Sequence, residues 1–337
     1  MDKTLLKSVN RKVDQAFSKT KADNLKVFAR HYFASSAISE INKFTEQQIY
    51  DSVVDAWQFI QERHAGQVKV QFVQRKSYKD SAQGSSTSIY VLLDDMPFLV
   101  DSIRQGLNHA GVSIRSIHNA VFWVDRSGKK ERKPGSLKHF ATKQADEHSS
   151  EALSCFNCAT LTASQCRQIE SEIRDILAHV AAAVKDYREM CNRTVKIIES
   201  QLKMGKKSPV SKQDVAESSE FLSWLLKNHF TFLGFESYRI SGRKTARRAE
   251  LDKRSALGIS RLKSLRENTD GFGPLTFDSS DPTLARPLCV FTKASLRSKV
   301  HRPAYYDCIL VKQYDEKGNL THEHRLIGLY TSSVYYR

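Results

Sequence analysis

Apolar residues recur at helical spacing through the first sixty positions: Leu5, Leu6, Val9 and Val13, then Leu25, Val27, Phe28 and Tyr32, then Ile49, Val53, Val54, Trp57 and Ile60. A period near 3.6 gathers each set on one face, so this segment predicts three amphipathic helices. Thr45 and Gln48 have the spacing of a capping box, in which the threonine oxygen takes an orphan backbone N–H and the glutamine reaches back. The third helix is therefore predicted to begin near residue 46. From Val68 the period falls to two, with Val68, Val70 and Phe72 alternating with polar residues. After a Gly/Ser-rich turn at 83–86, Ser88 to Leu93 reads as a buried strand.

Asp94 to Ile103 places an aspartate cap and an early proline before Phe98, Leu99, Ile103 and Leu107, which share a helical face. Gly111 stops that helix, since glycine adopts the left-handed C-terminal conformation without a steric penalty. Val112 to Val124 resumes as a strand ending in the turn 125–128, and the basic insertion 129–150 predicts a loop. Glu151 to Leu161 reads as a strand, and Thr162 to Met190 as a long helix with Ile169, Ile173, Ile176, Leu177, Val180 and Val184 in its stripe. Strand, helix, strand, strand, helix is the order of a ferredoxin-like α/β sandwich. A linker near 204–211 introduces a second unit: a helix over 219–228, a strand over 230–240 broken by Gly234, then strands at 288–292, 306–314 and 325–330. Asp315 to Asn319 supplies the last hairpin turn. The fold class is α+β, with a helical segment over 1–66 followed by α/β units over 67–203 and 204–337.

Composition narrows the function classes. Lys and Arg number 53 against 37 Asp and Glu, a formal charge of +16. The basic loop 239–266 is the densest part, with Arg239, Arg243, Lys244, Arg247, Arg248, Lys253 and Arg254. No aromatic is interleaved there to stack on bases, which argues against nucleic acid and for a solvated loop or a docking face for an acidic partner. No apolar run is long enough to span a membrane and no secretory signal is visible, so a cytoplasmic protein with no membrane partner is expected. The six cysteines do not form a disulfide framework pattern, and Cys155-Phe-Asn-Cys158 lacks the second ligand pair a zinc site needs. No metal is expected. Among histidines, His118 and His229 have no carboxylate at fixed spacing and read as packed groups. His301 and Arg302 form a possible anion contact, through the bidentate guanidinium fork. His322 and His324 flank Glu323 on one strand, so their imidazoles share a face. Two ligands do not make a metal centre, and a solvated face is expected there.

Asp95-x-Pro97-x-Leu99, the helix with Ile103 and Leu107, and Gly111-Val-Ser-Ile114 resemble the ACT domain, a ferredoxin-like module that commonly binds amino acids. Tyr90 to Ile103, Phe221 to Phe235, Lys299-Val-His-Arg-Pro303 and Gly328-Leu-Tyr-Thr-Ser332 together resemble the N-terminal region of the large bacterial NAD-specific glutamate dehydrogenases. The likeness runs from about residue 25 to the end; at His118-Asn-Ala-Val121 the family's proline is missing. The resemblance implies two ACT-like units, the second truncated at its end, in a regulatory and homo-oligomerising portion of the enzyme. It also implies an amino-acid effector at Asp94, Asp95, Met96, Pro97 and Phe98, with Gly111, where helix-start N–H groups would hold a carboxylate. The alternative is a standalone amino-acid-sensing or scaffold module. The resemblance places NAD in the complete enzyme, and within this chain Gly271-Phe-Gly273 lacks the third glycine of a dinucleotide fingerprint. The resemblance places catalysis downstream, so no catalytic or cofactor-binding residue is assigned, and this chain alone is not expected to be active.

Overall fold

The three helices read from the N-terminal periodicity are α1 (Lys3–Ala16), α2 (Lys19–Tyr32) and α3 (Glu46–Ile60). The structure, a computed structural model, describes residues 3–34, 44–76, 84–127, 134–144, 148–204, 209–242, 247–266, 269–281, 283 and 286–331. Helix α3 starts where the capping box places it: Gln48 N donates to Thr45 Oγ1 at 3.2 Å, and Thr45 N to Gln48 Oε1 at 2.8 Å. Two compact units divide the chain, Met1–Leu177 and Ala178–Arg337. The division falls within a helix, α5 (Ala163–Leu202), rather than at 204. That helix runs past Met190 because Ile197 and Ile198 extend its apolar stripe into the core of the second unit.

In the first unit, β1 (Glu62–Arg63), β2 (Lys69–Arg75), β3 (Ser86–Asp94), β4 (Ile114–Ser127), β5 (Gly135–Ala141) and β6 (Ser149–Ala159) form one antiparallel sheet in the order β1-β5-β4-β6-β3-β2. Strand β3, helix α4 (Leu99–His109), β4, β6 and α5 follow the ferredoxin-like order, and β2, which precedes them in sequence, occupies the fourth place beside β3. Helices α1 to α3 cover one face, where Phe28, Tyr32, Val53 and Phe59 pack with Tyr90, Phe122 and Cys155. Helix α4 lies close against α5 on Gly106: a Cβ there would sit 2.1 Å from Ile176 Cδ1.

Two expectations for this unit need correction. The insertion 129–150 is not all loop. Strand β5 forms within it because Phe140 lies 5.3 Å from Phe122 and 5.8 Å from Phe28, ring centre to ring centre, and Leu137 joins the same core. Residues 128–133 and 145–147 lie outside the described residues. The second correction is at α4, where Phe98, not an aspartate, is the N-cap, at φ 70 and ψ 5 with no side-chain cap bond. Gly111 does end this helix region, at φ 73.

The second unit carries β7 (Phe230–Ser241), β8 (Arg248–Leu251), β9 (Leu257–Gly258), β10 (Cys289–Arg297), β11 (Tyr305–Tyr314) and β12 (Leu320–Tyr330), in the antiparallel order β10-β11-β12-β7-β8 with β9 also on β7. Helix α6 (Lys212–Trp224) begins earlier than the apolar pattern shows, at a Ser211–Asp214 capping box, and a π-type turn carries it to His229. Met190 and Ile197 of α5 and Leu222 of α6 pack on Phe230, Phe232, Phe235 and Ile309. Gly234 does not break β7: it lets Ile259 approach, since a Cβ there would meet Ile259 Cγ1 at 2.9 Å. Nor is the basic stretch 239–266 a loop throughout, because Arg239 lies in β7 and Arg248 in β8; residues 243–246 and 267–268, and the 205–208 part of the linker, lie outside the described residues.

Candidate functional site

The β3–α4 connection borders an open cavity of about 200 Å³, lined by Asp95, Met96, Phe98, Leu99, Val100, Asp101, Asn119 and Ala152. Strand β3 delivers the loop: Asp95 N donates to Ser150 O at 3.1 Å, fixing its start beside β6. Asn119 enters from β4, its Oδ1 accepting from Ser154 Oγ at 2.8 Å. The first-turn N–H groups of an α-helix have no intrahelical acceptor, and Leu99, Val100 and Asp101 of that turn all face the cavity. Partial burial raises the Asp95 carboxyl above the usual range, opposed by the Met96 N–H. Phe98 is held left-handed, a conformation that costs a bulky residue on the order of 1–3 kcal/mol. The cavity thus has a carboxylate on one side and helix-start N–H groups on the other.

The structure does not bring all the predicted residues to this edge. Asp94 turns toward a charged cluster at the end of the sheet and pairs with Arg63. Pro97 is exposed and does not line the cavity. Gly111 lies beyond the other end of α4, whose eleven residues span roughly 16 Å. The charged cluster was not visible in the sequence. Glu151, wholly buried, accepts from Arg63 Nε at 3.0 Å and from Arg126 Nε and Nη2 at 2.7 and 2.6 Å. Arg63 also donates to Gln67 O, and Arg126 to Ile60 O and Gly135 O. These partners are up to 88 residues apart, so no local spacing announces them.

His118 is buried against Phe33, Tyr32 and Phe44, and desolvation pushes its pKa down to about 4. It borders a small cavity of about 20 Å³ with Arg75 and Asn157, room for little more than one water. His229 stacks on Trp224 at 4.4 Å. Arg302 donates to Tyr330 O, and His301 stands at φ 67 beside it. Cys155 and Cys158, three apart on β6, point to opposite faces and cannot converge on one ion. Burial raises both thiols, to about 11 and about 12. His322 and His324 share a face as predicted, with rings 5.8 Å apart and nearly parallel. They do not form a plain solvated face: both line a second cavity, of about 220 Å³, in the second unit.

No helix of the described residues is long and apolar enough to cross a membrane. Comparison with known proteins gives a consistent relationship. Residues 28–173 match the family model described as glutamate dehydrogenase, ACT1 domain. The NAD-specific glutamate dehydrogenase of Pseudomonas aeruginosa is 33% identical over 92% of this chain and 19% of its own length. That of Halomonas elongata is 29% identical over 98% of this chain and 20% of its own length. The chain therefore spans about a fifth of the length of these relatives. A solved RNA-binding light-oxygen-voltage receptor aligns over 96% of this chain and 88% of its own, at 10% identity and a TM-score of 0.17, too low to relate the folds. The four sequence motifs, the ferredoxin-like order of the first sheet and these matches agree: residues 28–173 are an ACT1 domain of the glutamate dehydrogenase family, and the chain is homologous to a segment of the NAD-specific enzymes.

Proposed function

We propose that this chain serves as the N-terminal regulatory and self-associating portion of a cytoplasmic NAD-specific glutamate dehydrogenase. The complete enzyme would convert L-glutamate, NAD and water to 2-oxoglutarate, ammonia and NADH. The observation that carries this reading is homology to two such enzymes across nearly the whole chain. The cavity at the β3–α4 edge supplies the regulatory element. An amino-acid effector placed there would set its ammonium against Asp95 and its carboxylate against the first-turn N–H groups of α4. Strand β2, at the edge of the first sheet, offers unpaired backbone groups to a second copy. Arg302 would serve the chain's own structure through Tyr330 O rather than hold an anion.

Antibody capture from the native host, using a serum raised to residues 90–125, tests the reading. The captured material is expected to reduce NAD when L-glutamate is added, and to respond to other amino acids. Captured chain without glutamate-dependent NADH formation would contradict it and would point to a free-standing sensing module.

A further inference from the structure

In the second unit, helix α5 turns a second apolar face outward. Its buried stripe there runs through Ala183, Met190, Thr194, Ile197 and Gln201. A helix turns about 100° per residue, so Val184, Tyr187, Cys191, Val195, Ile198 and Leu202 form a separate stripe roughly a quarter turn away. Three of these are exposed, Tyr187 by 39%, Val195 by 41% and Leu202 by 65%. Cys191 and Ile198 are only partly buried against the second unit's core. Contiguous exposed apolar surface marks an interaction site. The spacing is that of a coiled-coil seam: Val184, Arg188, Cys191, Val195, Ile198 and Leu202 follow one another at alternating steps of four and three residues, as a and d positions do. The seam is roughly 28 Å long, about five helical turns, enough to hold a partner helix in one register.

The flanking charges say what fits. On the outer side of the seam stand Lys185, Asn192 and Glu199, all exposed and seven residues apart. On its inner side Thr194 and Gln201 are buried in the unit's own core, so a partner helix can approach only from the outer side. A second copy of α5, laid antiparallel about a two-fold axis at Asn192, complements this arrangement. Val195 then packs on the partner's Cys191, Leu202 on the partner's Val184, and the stem of Arg188 on the partner's Ile198. Lys185 meets the partner's Glu199, and two-fold symmetry repeats that ion pair at the other end of the seam. A parallel pair fails on the same residues, because it sets Arg188 against the partner's Arg188 and leaves Lys185 and Glu199 unmatched. A helix with acidic groups along its whole flank would match Lys185 but meet Glu199 with like charge.

We propose that the second half of α5 is a dimerisation seam, paired antiparallel with the same helix of a second copy of this chain. The inference rests on the self-association part of the reading above and assigns it a surface made of other residues than the β2 edge. Sedimentation velocity of the whole chain at low ionic strength, where exposed ion pairs are least screened, tests it. The chain is expected to dimerise reversibly as its concentration rises. Lys185→Glu and Glu199→Lys each set like charges together at both ends of the seam and should weaken the dimer about tenfold, while the double variant should return to within about threefold of the unaltered chain. Leu202→Asp should leave monomer. Asn192→Cys should cross-link to its own copy across the axis under a mild oxidant, as mapped by peptide mass spectrometry. All four positions are exposed, so the variants are expected to fold, which circular dichroism checks. A chain that stays monomeric at every concentration would overturn this proposal together with the self-association reading. Dimers that both charge reversals and Leu202→Asp leave unchanged would overturn the seam alone and keep that reading. A double variant no tighter than either single variant would also overturn the seam.

Discussion

Each unit buries a glutamate completely on a central strand, Glu151 on β6 and Glu323 on β12, and the two are treated in opposite ways. Both oxygens of Glu151 are held by guanidinium groups, and those arginines donate their other N–H groups to backbone carbonyls. Glu323 accepts at Oε1 from Thr276 N at 2.7 Å and Thr276 Oγ1 at 3.0 Å, while its Oε2 has no partner. The next two residues repeat the pattern, with His324 Nδ1 and Arg325 Nε also unsatisfied. Buried polar groups are normally paired, so one open atom on each of three consecutive residues stands out. In the first unit charge closes the end of a sheet and anchors the strand that leads into the β3–α4 loop. In the second, His324 lies on the strand face that borders a cavity, while Glu323 and Arg325 alternate to the other face.

The largest test of this contrast replaces each glutamate by glutamine. Glu151→Gln leaves the mostly buried Arg126 guanidinium without its counter-charge and Arg63 with Asp94 alone, and should cost about 3 kcal/mol or more. Glu323→Gln keeps an oxygen for Thr276 but removes the charge that acts on buried Lys312, so it should cost less, about 1 kcal/mol. Urea denaturation midpoints compare the two, and equal losses would erase the distinction. Gly258→Ala strikes the second unit alone. Gly258 sits at φ 59, and an added Cβ would lie 2.1 Å from Leu233 O, a backbone atom that cannot step aside. A loss of about 3 kcal/mol is expected, with limited proteolysis cutting first within 178–337.

Acid should weaken both units through one histidine each. His118 and His324 have pKa values of about 4 and about 3 in the folded chain, against an ordinary 6.5. The unfolded chain takes up protons first, so their contribution is complete above pH 6.5 and is lost as pH falls, down to about pH 4 for His118 and pH 3 for His324. Each should remove about 2 kcal/mol between pH 7 and pH 5. His118→Phe should abolish the first unit's share only, as read from urea midpoints at the two pH values. The smallest effects belong to the helix caps: Thr45→Ala in the first unit and Ser211→Ala in the second should each cost about 1 kcal/mol, measured the same way.

Much of this architecture was legible because periodicity and capping are local. Val53, Val54, Trp57 and Ile60 announced α3, Thr45 and Gln48 its first residue, and alternation near Val70 announced β2. What failed was decided by distant partners. Asp94 looked like a helix cap, yet Arg63, 31 positions earlier, draws it away, and the left-handed Phe98 takes the cap position instead. Strand β5 hid in a basic insertion because only Leu137 and Phe140 tie it to the core. The shared face of His322 and His324 follows from strand geometry, whereas their cavity requires Arg193 and Asp252 to arrive from separate elements, which no spacing encodes.

On the proposed reading, the β3–α4 edge of the first unit is where an effector acts, while the closed charges at the other end of that sheet only hold it together. Peptide-resolved hydrogen exchange on the whole chain, with and without a mixture of the common L-amino acids, tests this most directly. The proposed reading predicts slower exchange around 95–101 in the first unit, with the Arg63 and Glu151 end of the sheet unchanged. Unchanged exchange around 95–101, or slowing confined to the Arg63 and Glu151 end of the first sheet, would contradict it.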